Sequence, residues 1–136
     1  TPNIAGRIYR RAVECAQLRP EEVVLDLYCG VGALSLQLAG HAKLVFGIEE
    51  SRTAVNDAKM NARMNGVGNA RFRAGDVGAL LPDLLDEVGD VGVVALNPPR
   101  KGADEAARAA VLAARPRRIL YVSCDVDTLA RDLDWF

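Results

Sequence analysis

The stretch VVLDLYCGVG, residues 23–32, decides how the rest of the chain is read. Its first half is an apolar run interrupted by one acid, Asp26. Its second half is a turn built on Gly30 and Gly32 that gives way to helical spacing over 33–39. A strand apolar on both faces belongs inside a sheet with helices on either side. The glycines allow a tight turn in which backbone N–H groups come close to a ligand, and the helix that follows turns its positive end toward the same place.

Outward from this unit the same alternation recurs. LVFGIE (44–49), ARFRAGD (70–76), VGVVALNPP (91–99) and RRILYVSC (117–124) are short runs rich in Val, Ile, Leu and aromatics. Helical spacing covers 4–17 before the first strand, 51–65, roughly 77–87 and 103–114 between strands, and 126–134 after the last. Pro20 and Pro116 punctuate the approaches to the first and fifth strands, and Pro98-Pro99 ends the fourth. This order predicts an α/β protein with a doubly wound, mainly parallel sheet. With no internal repeat, low-complexity tract or linker, residues 1–136 read as a single domain.

Composition bounds the function. A chain of 136 residues, 50% hydrophobic and 26% charged, can bury one core. Its formal charge of −1 gives no strong general attraction to nucleic acid. Arg7, Arg10 and Arg11 break any signal-peptide pattern, and the apolar segments are too short to cross a bilayer, so a cytoplasmic protein without membrane contact is expected. Cys15, Cys29 and Cys124 are an odd number at wide spacing, with His41 as the one imidazole. Neither a disulfide framework nor a metal site is expected. Cys15 and Cys29 are expected to be buried as small apolar side chains, and His41 to be solvated.

Ligands of a doubly wound sheet sit outside the carboxyl ends of its strands. Those ends here read DLYCGVG, GIEE, AGD, NPPRKG and SCD. A dinucleotide fingerprint needs Gly or Ala at the position held by Ser35, so an NAD site loses ground. Asp26, placed four residues before Gly30, can hydrogen-bond backbone or an ammonium group. Glu49 is placed to accept from ribose hydroxyls, and Asp76 from an adenine amino group. Acid at three successive strand ends suits a nucleoside cofactor that carries positive charge, which points to S-adenosylmethionine.

The motifs VLDLYCGVG, the GIE strand end, AVNDAKMNARMNGVGN, NPPRKG and YVSC…TLARDL together resemble the catalytic domain of the S-adenosylmethionine-dependent RNA (uracil-5)-methyltransferases. The resemblance runs from about Thr1 to Leu133. It implies a Rossmann-like class I methyltransferase fold, with about five strands present and the last two of the usual seven missing. It also implies cofactor contacts from Tyr28, Glu49, Asp76 and Asn97, substrate contacts from Pro98 and Arg100 in the NPPRKG loop, and Cys124 as nucleophile. Cys124 is placed between a strand and a helix N-terminus, where the helix dipole favours thiolate. Asp125 stands where the family usually has Asn, and it either raises the thiol pKa or caps the following helix.

The substrate implied is a uridine in ribosomal or transfer RNA. The family's general base lies beyond the fifth strand and its RNA-binding parts ahead of the methyltransferase domain, so this chain is expected to be part of a longer protein. A fifth strand at the sheet edge makes a homodimer across that edge an expectation too. Two other readings follow from the same residues. NPPR is similar to the Asn-Pro-Pro-aromatic motif of methyltransferases that act on exocyclic amino groups of bases, with Arg100 replacing the aromatic. A non-catalytic module that holds S-adenosylmethionine is the other.

Overall fold

The computed structural model describes residues 4–122. Along the chain it contains α1 (Ile4–Ala16), β1 (Val23–Leu27), α2 (Ala33–Ala39), β2 (Leu44–Glu49) and α3 (Arg52–Met64). These are followed by β3 (Ala70–Ala74), α4 (Val77–Val88), β4 (Val93–Leu96), α5 (Glu105–Ala114) and β5 (Arg118–Tyr121). The five strands form one sheet in the order β3-β2-β1-β4-β5, parallel at every pairing. The doubly wound parallel architecture expected from the alternation is the one observed.

The period-2 geometry of β1 explains why its sequence is apolar on both faces. Val24 points into a cluster with Leu34, Leu38, Val45, Val55 and Phe72, beneath α2 and α3. Leu25 and Leu27 point the other way, into a cluster with Phe46, Leu81, Leu84, Leu96 and Val111, beneath α4 and α5. Local signals fix where three of the helices begin. Ser51, Asp76 and Asp104 adopt extended backbone, and each side chain accepts from the N–H three residues on, capping α3, α4 and α5.

The strands stop earlier than their sequences suggest, β1 at Leu27 rather than residue 30, β3 at Ala74 and β4 at Leu96. Tyr28 turns into the left-handed region at φ 61, which takes the chain out of the sheet. Cys15 corrects an expectation: it is exposed. On α1 the inward positions are Ala12 and Ala16, one turn apart, and Cys15 falls outside that stripe. Cys29 is half-buried, and His41 is exposed. β5 lies at one edge of the described sheet. The expected final helix, Cys124 and Asp125 lie outside the described residues. No helix among the described residues is long and apolar enough to cross a membrane.

Candidate functional site

The turn after β1 concentrates unusual backbone. Tyr28, Gly30 and Gly32 all have positive φ, at 61°, 56° and 85°. The two glycines serve different ends. A Cβ on Gly32 would stand 3.0 Å from the Ala58 Cβ and 3.1 Å from the Phe72 ring, so this residue faces the core and lets the turn pack on α3 and β3. A Cβ on Gly30 would meet nothing within 4 Å, so the space above that residue is open. The Gly30 N–H donates to Glu49 Oε1 at 3.1 Å, and the Ser51 N–H donates to Glu49 Oε2 at 2.8 Å. Glu49 thereby ties the β1 turn to the start of α3. A carboxylate has about four lone-pair sites, so these two bonds leave capacity for further donors.

Beside Glu49 lies a cleft of about 200 Å³ lined by Tyr28, Glu49, Glu50, Asn97, Pro98 and Pro99. The Asn97 N–H donates to the Leu27 carbonyl at 3.1 Å, which holds the start of the NPP loop against the end of β1. From β1 the chain adds β2 and β3 on one side, and β4 and β5 are added on the other, so the strand order reverses between β1 and β4 while every pairing stays parallel. A reversal of this kind opens a crevice at the strands' carboxyl ends. The lining contributes two carboxylates and, among the described residues, no cation. Burial pushes the Tyr28 phenol up to about 12, and the charges of Asp104, Glu50 and Asp76 add to it. The phenol is therefore neutral at physiological pH, in a field that favours positive ligands and opposes phosphate.

Of the residues singled out from sequence, Tyr28, Gly30, Glu49, Asn97 and Pro98 come together here. Asp26 does not line the cleft. It is completely buried on the face of β1 covered by α2, where Ser35 Oγ donates to its Oδ2 at 2.6 Å. Its Oδ1 has no hydrogen-bond partner among the described residues. Burial raises this carboxyl to about 7, with the Glu49 charge adding and the Ser35 hydrogen bond opposing. Gly32 faces inward, as above. Asp76 is exposed at the end of β3 and caps α4 through the Ala79 N–H at 2.9 Å. Arg100 is exposed in the loop that follows the cleft.

Burial, then the charges of Asp26 and Glu49, push the Cys29 thiol far up, so it is no thiolate nucleophile. Glu50, Pro99 and Ser35 were not singled out from sequence. Glu50 adjoins Glu49 in GIEE, and Ser35 enters the sequence argument only as the wrong residue for a dinucleotide fingerprint.

The methyltransferase domain profile matches residues 18–113, most of the chain and all of the elements that build the cleft. The chain belongs to the methyltransferase domain family. This methyltransferase domain is 50% identical over 127 residues to an uncharacterized RNA methyltransferase of Geobacter sulfurreducens, covering 93% of this chain and 26% of that protein. It is 50% identical over 130 residues to one of Gloeobacter violaceus, covering 96% and 27%. The methyltransferase domain thus spans about a quarter of the length of these relatives.

Among solved structures, the tRNA (uracil-54, C5)-methyltransferase of Pyrococcus abyssi, in complex with S-adenosyl-L-homocysteine, superposes with a TM-score of 0.81 at 28% identity. That match covers 96% of this chain and 31% of the other. The precorrin 8w decarboxylase of Methanobacterium thermoautotrophicum superposes at 0.80 with 18% identity, a likeness of fold alone.

Proposed function

We propose that this methyltransferase domain transfers a methyl group from S-adenosylmethionine to carbon 5 of a uridine in ribosomal or transfer RNA, in the cytoplasm, through a covalent adduct with Cys124. The observation that carries the reading is the acid-lined cleft at the strand reversal, with Glu49 braced by two N–H donors and the space over Gly30 open. The fit to the cofactor rests on the same atoms. Glu49 has lone pairs left for ribose hydroxyls, and the negative lining suits a sulfonium. Likeness to the Pyrococcus abyssi enzyme, solved with the demethylated cofactor, supports the same assignment.

The cofactor supplies an electrophilic methyl group. Carbon 5 of uracil is too weak a nucleophile to take it directly. Addition of the Cys124 thiolate to carbon 6 makes a carbon–sulfur bond and leaves an enolate whose carbon 5 is nucleophilic. Once carbon 5 is methylated, a base removes its proton, the electron pair re-forms the 5,6 double bond, and the thiolate leaves.

The test is denaturing electrophoresis of the chain with 5-fluorouracil-substituted RNA and S-adenosylmethionine. Fluorine is not removed as a proton is, so a shifted band is expected, and Cys124→Ser should abolish it. If no band forms while S-adenosylhomocysteine binds, either this domain is only the cofactor half of an enzyme or the uracil assignment is wrong.

A second reading has one observation in its favour. Asn97, Pro98 and Pro99 line the same cleft as Tyr28 and Glu49, as a motif accepting amino hydrogens of a base requires. An amino-group methyltransferase keeps its activity in Cys124→Ser.

A further inference from the structure

A concentration of positive charge lies away from the cleft, along the outer edge of β3. There α3 and β3 enclose a groove of about 530 Å³ lined by Lys59, Arg63, Arg71 and Arg73 over a floor that includes Val67 and Phe72. Lys59 and Arg63 are four apart on α3 and therefore share a face. Arg71 and Arg73 are two apart on β3 and share a side of the strand. Arg73 is partly committed, paired with Glu87 at 3.1 Å and lying 5.2 Å over the Phe46 ring. Arg71 Nη1 donates to the Gly68 carbonyl. Lys59 and Arg63 are exposed and have no ion pair among the described residues. In a chain of formal charge −1, four cations around one groove with no carboxylate in its lining make a local anion surface.

We infer that this groove holds the phosphate backbone of the RNA substrate, an inference that rests on the RNA reading of the cleft. The position argues for it. Arg73 is level with Ile48, one residue below Glu49, and from there the groove runs toward the amino end of β3, past Arg71 to Lys59 and Arg63 on the last turns of α3, so it forms a track leading away from the carboxyl edge along the β3 edge. β3 lies two strands from β1, about 10 Å at the usual strand spacing. An RNA strand with its target base over the β1 and β4 ends has phosphates within reach of that edge. Phe46 and Phe72 are buried and offer no stacking face, so the groove reads charge and not base identity.

The test measures binding of a fluorescein-labelled, unstructured RNA of mixed sequence to the full chain by anisotropy, across a series of KCl concentrations. The variant is Lys59→Gln with Arg63→Gln. The control, Arg10→Gln with Arg11→Gln, removes the same charge from exposed sites on α1. S-adenosylhomocysteine affinity is measured for each by calorimetry. The groove variant is expected to lower the slope of log affinity against log salt by about 1.4, two single-strand phosphate contacts, and to weaken binding about tenfold at about 0.1 M salt. The control should change it by less than about twofold, and cofactor affinity should hold in both.

RNA binding unchanged in the groove variant, an equal loss in the control, or no RNA binding by the wild-type chain would each overturn the inference. So would a polyglutamate peptide that competes with the RNA and binds as tightly, since the groove would then be an acidic-protein surface. Absence of S-adenosylhomocysteine binding in the wild type would instead sink the proposed function, and it is read separately from the salt slope.

Discussion

Asp26 shows how a single residue divides between two readings. In sequence it is an acid at a strand end beside a glycine turn, and it reads as a cofactor contact. In the fold it sits on the α2 side of β1 with Ser35 on one oxygen and nothing described on the other. Its native carboxyl titrates at about 7 instead of the ordinary 3.8, so the folded state prefers the protonated form. That preference contributes stability fully below about pH 4 and loses it as pH rises through about 7.

Asp26→Asn keeps an acceptor for Ser35 and does not ionise. Thermal denaturation at about pH 5 and about pH 8 should show the variant gaining on the wild type by at least about 1 kcal/mol between the two, the equivalent of roughly one pKa unit. A stability difference that does not move with pH would mean that this carboxyl titrates normally. Glu49 is the opposite case. The strand-end position places it correctly, but sequence does not reveal that both its oxygens already hold backbone N–H groups.

At the scale of the element, the β1 turn separates two glycines that look alike in sequence. Gly32→Ala adds a Cβ 3.0 Å from Ala58 at a left-handed φ, so it strains both backbone and packing. It should destabilise the fold by about 1–3 kcal/mol in chemical denaturation. Gly30→Ala pays only the left-handed penalty, roughly 1–2 kcal/mol, because its Cβ enters open space. Its larger effect should be on cofactor affinity, since that open space is where the proposed ligand approaches the turn. The ratio of binding loss to stability loss, measured by calorimetry and denaturation on both variants, should be higher for Gly30→Ala. A higher ratio for Gly32→Ala would place the ligand elsewhere. The helix starts at Ser51, Asp76 and Asp104 were legible because a cap is a local matter of one side chain and an N–H three residues on. Strand ends were less so, because pairing with neighbours, not local preference, decides where β1, β3 and β4 stop.

For the whole molecule, the sheet divides the interior into two clusters. Val55 belongs to the one under α2 and α3, and Val111 to the one under α4 and α5. Val55→Ala and Val111→Ala should each cost about 2 kcal/mol for two buried methyl groups and the cavity left behind. In the double variant the costs should add within about 0.5 kcal/mol, because the two residues belong to separate clusters on opposite faces of the sheet. A coupling well above that in denaturant titrations would show that the two faces communicate through the sheet.

The sequence by itself determined the order of elements, the parallel doubly wound class and the strand ends at which the acid-lined cleft lies. Each follows from local periodicity, turn chemistry and the rule that ligands meet strands at their carboxyl ends. It also supplied Tyr28, Gly30, Glu49, Asn97 and Pro98 as a set. Only the tertiary structure decided that Asp26 and Gly32 turn away from the cleft, that Glu50 and Pro99 enter it, and that Cys15 is exposed. These are questions of which way a side chain points once neighbours are packed, and in α1 and β1 one residue's shift changes the answer. The basic groove is the clearest instance. Lys59, Arg63, Arg71 and Arg73 form no charge run in the chain, and they become one surface because a parallel crossover lays α3 against the edge of β3.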